Sequence, residues 1–129
     1  MNQVDRSRRV LLTIPAEKAY VPVAAMALSG LGMMAGLDVD LLGDLRTVTS
    51  ESLDCLMHQA GLPRAITICA GVEEGRLHVC FASEERSRVG DEDALGLDIT
   101  RGVLETLMPE VCLVTDNDGV HRIECSMPV

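Results

Sequence analysis

Aromatic side chains are nearly missing from this 129-residue sequence, which has one tyrosine, Tyr20, one phenylalanine, Phe81, and no tryptophan. Any core must therefore be built from Leu, Val, Ile, Met and Ala. Lysine is as scarce: Lys18 stands alone beside ten arginines, against 20 acidic residues and a net charge of −9. That balance argues against nucleic acid, whose affinity comes from Lys and Arg neutralising phosphates. The short basic stretch Arg6–Arg9 reads as part of a solvated N-terminal arm over residues 1–8. Cysteine pairs are missing too. Five cysteines make an odd number, and no two stand as CxxC. Most lie in apolar, strand-like runs where a thiol behaves as a small hydrophobe, which fits a reducing cytoplasm better than a disulfide framework.

What is present suits one domain over 1–129, with a hydrophobic content of 47% that excludes a disordered chain and no repeat, linker or low-complexity segment. Ala19 to Leu37 carries no charge and is long enough to raise the question of a membrane span. Pro22, Gly30, Gly32 and Gly36 interrupt it and no basic flank follows, so it reads as an internal helix wedged between a sheet and a partner. Glu17 and Lys18 break any secretory-signal pattern. Met26, Met33 and Met34 on this helix read most simply as core, although its apolar breadth leaves room for a dimer or partner face.

The hydrophobic periods give the element order. Val10–Ile14 is a first strand ending at Pro15, followed by a helix over about Ala19–Met34 that stops near Gly36. Asp38 caps a second helix, with Leu41, Leu42, Leu45, Val48 and Leu56 at helical spacing, ending at Gly61-Leu62-Pro63. The period then becomes two. Ala65–Val72 and Arg76–Ser83 are strands joined by Glu73-Glu74-Gly75, with Ile66, Ile68, Leu77, Val79 and Phe81 on one buried face. Glu84–Asp93 is a charged loop without apolar period. Leu97–Met108 reads as a third helix with Ile99, Val103, Leu104 and Leu107 inward. Val111–Thr115 and Val120–Cys125 form a second hairpin around Asn117-Asp118-Gly119. The expected class is α/β, a two-layer α/β sandwich with a mixed sheet and helices on one face.

Three strings carry a resemblance to a known family: IPAEKAYVPVAAMALSGLGMMAG at 14–36, LLGDLRTVTSESLDCLMHQA at 41–60 and ALGLDITRGVLETLMPEV at 94–111. Together they resemble the GHKL (Bergerat-fold) ATPase domain of the anti-sigma-factor serine kinases. The resemblance implies ATP and Mg²⁺ as cofactors, a homodimer, and a sigma factor or STAS-domain antagonist as partner, with no nucleic acid and no membrane. Glu51 matches the family's general-base glutamate, which would take the proton from a partner serine as the γ-phosphoryl group moves.

The remaining family positions are mostly substituted. Cys55 stands where the family's asparagine would hold Mg²⁺, and a thiol is a soft ligand for a hard cation. Asp54 is the better magnesium ligand by chemistry, but one residue turns about 100° around a helix, and Asp54 is better placed to pair with His58. Ser83 and Glu85 fall at the adenine box, where the family has an Asp and a Gly. Ala94 and Gly96 fall at the glycine box, behind the acidic run Asp91-Glu92-Asp93, and a second alignment puts Thr100 where a glycine belongs. All these departures weaken Mg-ATP binding. The resulting expectation is a partner-switching, anti-sigma-like regulator that acts by protein–protein binding with ATP weak or absent. One alternative is an active serine/threonine kinase with Glu51 as base. Another is a sensor of some other small ligand in the emptied pocket. Glu51, Cys55 and His58 share a helical stripe, read as pocket lining rather than a metal site. His78 and His121 read as ordinary strand histidines.

Overall fold

The computed structural model describes residues 8–58, 61–84, 87–88, 110–116 and 119–129. Strand β1 spans Val10–Pro15, and a 3₁₀ turn at Lys18–Tyr20 leads into helix α1, Val21–Ala35. Pro22 sits in the first turn of α1, where its missing N–H removes no helical bond. At the other end Gly36 adopts φ 92° and ψ 18°, a left-handed conformation open to glycine. Its N–H and that of Leu37 then satisfy the last carbonyls of the helix, with Leu37 N 3.0 Å from Gly32 O. Asp38 caps helix α2, Val39–Met57, its Oδ1 accepting from Leu41 N–H at 2.9 Å. The helices meet closely at Gly32, where an added Cβ would lie 2.8 Å from Leu42 Cδ2.

The chain next forms β2 (Gly61–Leu62), β3 (Ala65–Glu73), β4 (Arg76–Glu84), β5 (Ser87–Arg88), β6 (Glu110–Asp116) and β7 (Gly119–Pro128). β3 and β4 turn through Glu74 and Gly75 at φ 52° and 73°. Two positive φ values give the two-residue hairpin whose twist matches that of the sheet. Glu73 therefore belongs to the strand, opposite Arg76, and the turn is one residue tighter than the sequence suggested. β2 takes Gly61–Leu62, which was expected to end α2. It pairs with β5 inside the segment read as an unstructured charged loop.

The five longer strands form one sheet in the order β1-β3-β4-β7-β6, and every neighbouring pair is antiparallel. This corrects the expected fold class. The described residues build two α-helices against a wholly antiparallel sheet, not the helix-rich GHKL-type α/β sandwich with a mixed sheet. The reason lies in the connections. The two-residue turn between β3 and β4 makes them antiparallel neighbours, and the pair of helices between β1 and β3 brings the chain back in the reverse sense. The third expected helix, Leu97–Met108, lies outside the described residues.

Both helices pack on one face of the sheet. Ile14, Ile66, Ile68, Leu77, Val79, Phe81 and Ile123 are each at most 2% exposed and meet Ala24 and Leu28 of α1 and Leu45, Val48, Leu53 and Leu56 of α2. The strand residues expected to share a buried face do so. The methionines of α1 do not lie in the core: Met26, Met33 and Met34 are 75%, 67% and 85% exposed. The buried stripe of α1 is only Ala24, Leu28 and Gly32.

The Asp38 cap gives a direct check on this boundary. Asp38→Ala should lower stability by about 1 kcal/mol and Asp38→Ser should restore most of it, as read from urea unfolding.

Candidate functional site

Helix α2 places three of the chemistry-bearing residues on one flank. Glu51 is half-buried, and Cys55, one turn on, is 6% exposed and packed into the core with Leu53 and Leu56. His58 follows at the exposed C-terminal end. Its Nδ1–H donates to the Asp54 carbonyl at 2.7 Å and lies 3.3 Å from Asp54 Oδ1, the pairing expected from the i,i+4 spacing. Both side chains are well exposed, so this contact contributes little to stability. Asp54 thus faces solvent, while Cys55 turns its thiol inward.

Ser83 lies partly buried near the end of β4, opposite Ile66. Glu85, Ala94 and Gly96 lie outside the described residues. Of the six positions read as a nucleotide site, Glu51, Cys55 and Ser83 are therefore placed, and Glu51 and Cys55 share a helix flank. Among the described residues, no group of three or more His, Cys, Asp or Glu side chains is arranged to hold a metal ion.

Two hollows open elsewhere, and Glu51, Cys55 and Ser83 line neither. One, of about 930 Å³, runs between α1 and the start of β1. Val10, Ala27, Leu31 and Met34 line it, with Arg8 and Arg9 at its rim.

The other hollow, of about 400 Å³, lies on the sheet face opposite α1 and α2. Arg9, Cys69, Cys80, Arg122 and Glu124 line it. Cys69 and Cys80 are direct partners across β3 and β4, and Cys80 is in turn opposite Glu124. Arg122 Nε donates to Cys80 Sγ at 3.1 Å and lies 3.6 Å from Glu124 Oε1; Arg9 Nη1 is 3.9 Å from Cys69 Sγ. Burial pushes the Cys80 thiol up from its ordinary value, and the hydrogen bond and charge of Arg122 oppose that rise. This cluster was missed in the sequence, where the cysteines read as buried hydrophobes. The usable signal was arithmetic: positions 69 and 80 are equidistant from a turn at Glu74-Gly75, whereas a three-residue turn sets Cys69 opposite Val79.

Cys125 also borders this hollow, but its side chain belongs to the buried core. It is 4% exposed, and burial raises its pKa to about 12, with the Ser52 hydroxyl opposing the shift.

In comparisons with known proteins, no family model and no curated protein matches this chain. The segment Lys18–Ala35 is long and apolar enough to cross a membrane by length and composition, and 22% of it is buried within the fold.

Two measurements follow from the cysteine positions. Cys55→Asn should cost about 1–3 kcal/mol in urea unfolding, because it buries an amide beside Leu53 and Leu56, and Cys55→Ala should cost less. For Cys125, the folded chain keeps the thiol neutral up to about pH 12, whereas a thiol with the ordinary value of 9.0 ionises earlier in the unfolded chain. Proton release then favours the unfolded state, so stability should fall as pH rises from about 9 towards 12. Cys125→Ala should flatten that decline.

Proposed function

We propose that this protein is a regulator that works by binding another protein, through the exposed face of α1 and the adjoining end of β1. The observation that carries this reading is the solvent-facing row of Met26, Met33 and Met34, joined by Val23 at 47% exposure, on a helix without one charged residue from Val21 to Ala35. A helix whose only business is to cover a sheet turns polar side chains to water. A contiguous apolar face marks a surface that something else covers, and methionine adapts its shape to a partner.

The charge around the hollow limits what that partner is. Arg8 and Arg9 stand at the rim of an apolar trough in a chain of net charge −9. They favour a segment that brings apolar side chains to Leu31 and Met34 and a carboxylate to the arginines. The likeness of residues 14–36 and 41–60 to anti-sigma regulators supports a sigma factor or a STAS-domain antagonist as the source of such a segment. Phosphoryl transfer is the less supported activity. It would need a magnesium ligand where Cys55 offers only a soft donor packed into the core.

Isothermal titration of the full chain with a candidate sigma factor or STAS-domain protein tests the proposal. Met34→Glu and Met26→Glu should each weaken binding tenfold or more with unchanged far-UV circular dichroism, since both side chains lie outside the core. Binding that ignores both substitutions removes the surface from consideration. Co-flotation of the chain with anionic vesicles would assign the same face to a membrane. Transfer of phosphate from Mg-ATP to a STAS-domain protein, lost in Glu51→Ala, would replace binding with catalysis.

A further inference from the structure

We propose that Cys69 and Cys80 form a dithiol site on the sheet face opposite α1 and α2, which hydroperoxides oxidise to a cross-strand disulfide. The proposal stands on the geometry of β3 and β4 and is independent of the surface on α1. Directly opposed residues of an antiparallel pair have Cα atoms about 4.5–5.5 Å apart, inside the roughly 4.4–6.8 Å span of natural disulfides. Cys69 and Cys80 are such a pair, and both are free, partly exposed thiols. The bond therefore needs rotation about the side-chain torsions and no movement of a strand.

The other cysteines cannot take either place. Cys55 is buried on α2, and Cys125 is buried on the helix-covered face of β7. Cys112 is opposite Glu124 in the register, which puts it two strand spacings from Cys80, about 10 Å, beyond disulfide reach.

Of the two sulfurs Cys80 has the closer cation, with Arg122 Nε 3.1 Å away against 3.9 Å between Arg9 and Cys69, and is assigned the attack. A thiolate is the reactive form, and the Arg122 guanidinium 3.1 Å away stabilises that charge. In the first step the Cys80 thiolate attacks one oxygen of the hydroperoxide. The O–O bond breaks, the alcohol or water leaves with the proton given up by Cys80, and Cys80 becomes a sulfenic acid. In the second step the Cys69 sulfur attacks the Cys80 sulfur, the S–O bond breaks, and hydroxide leaves as water with the Cys69 proton. Two thiols thus lose two electrons and two protons, and one hydroperoxide is reduced to one alcohol and one water. Glu124, 3.6 Å from Arg122, shares the guanidinium and moderates its effect on the thiol. Burial also holds Cys80 protonated, so oxidation accelerates as pH rises.

The test uses the reduced full chain and hydrogen peroxide, read by intact mass and peptide mapping. The expected product is lighter by two hydrogens and links the peptides containing Cys69 and Cys80. Cys112→Ser should leave that product unchanged, and Cys69→Ser or Cys80→Ser should abolish it. Cys69→Ser should instead retain a dimedone-reactive sulfenic acid at Cys80, and Arg122→Gln should slow oxidation several-fold. A second probe does not depend on the oxidation rate: phenylarsine oxide, which bridges adjacent thiols, should titrate one equivalent per chain and lose that site in either single serine variant. A disulfide mapped to Cys112, or peroxide oxidation that ends at separate sulfinic acids with no arsenical uptake, would overturn the proposal.

Discussion

The Glu74-Gly75 turn fixes the register on which both faces of the sheet depend. With positive φ at both residues it pairs Glu73 with Arg76, and every later pair in β3 and β4 follows from that one. Side chains alternate along a strand, so a slip of one residue would exchange the buried and exposed sets. With β3 held in place, Val79 and Phe81 would then face water while Cys80 faced the helices. Among the described residues the sheet has one helical cover, so the two outcomes differ by the apolar face of β4. Burial of that face drives the chain towards the observed register, and the turn makes it reachable without strain. In a chain with one phenylalanine, the fully buried Phe81 is the largest single contributor to the choice.

Helix α1 is constrained in a different way. It has three buried positions, Ala24, Leu28 and Gly32, at intervals of four. Two are small, and at Gly32 the side chains of Leu37, Leu42 and Leu45 fill the space that a larger residue would claim. Close approach to α2 thus leaves α1 with a narrow contact stripe and a broad remainder. Because that remainder is apolar, packing within the described residues does not account for its composition. A helix that merely roofed the sheet could carry Glu, Lys or Gln at positions 26, 33 and 34 without loss.

Much of the architecture was legible in the sequence. Gly36 and Asp38 mark the break between the helices because one needs a left-handed backbone and the other supplies an oxygen to an orphan N–H. Period two in Ile66, Ile68, Leu77, Val79 and Phe81 gave the buried face for the same reason that the sheet has one. Three features were not legible, each for a physical reason. Turn length depends on whether Glu74 accepts a positive φ, which local composition leaves open. Strand direction depends on how an even pair of helices returns the chain, a property of the path and not of any residue. The exposure of Met26, Met33 and Met34 could not be read because an uncharged helix has apolar side chains on every side, so its pattern does not say which side is covered. The stripe Glu51–Cys55–His58 was legible as a stripe, but the depth of Cys55 was set by how α2 rolls against the sheet.

Strand parity separates two kinds of cysteine chemistry across the thickness of one sheet. Cys125 points to the helices, where Ser52 meets it and burial keeps its thiol neutral to about pH 12. Its neighbour in sequence, Glu124, points the other way, into the row that holds Cys80 and Cys69. The inner thiol is nearly sealed from solvent and gains nothing from ionising, so it behaves as a small apolar side chain. The outer pair has partial exposure, a guanidinium beside each sulfur and a partner thiol directly across the ladder. The contrast follows from strand parity and not from the amino acid. In this domain the side of the sheet on which a thiol falls decides whether it is packing material or a reactive group.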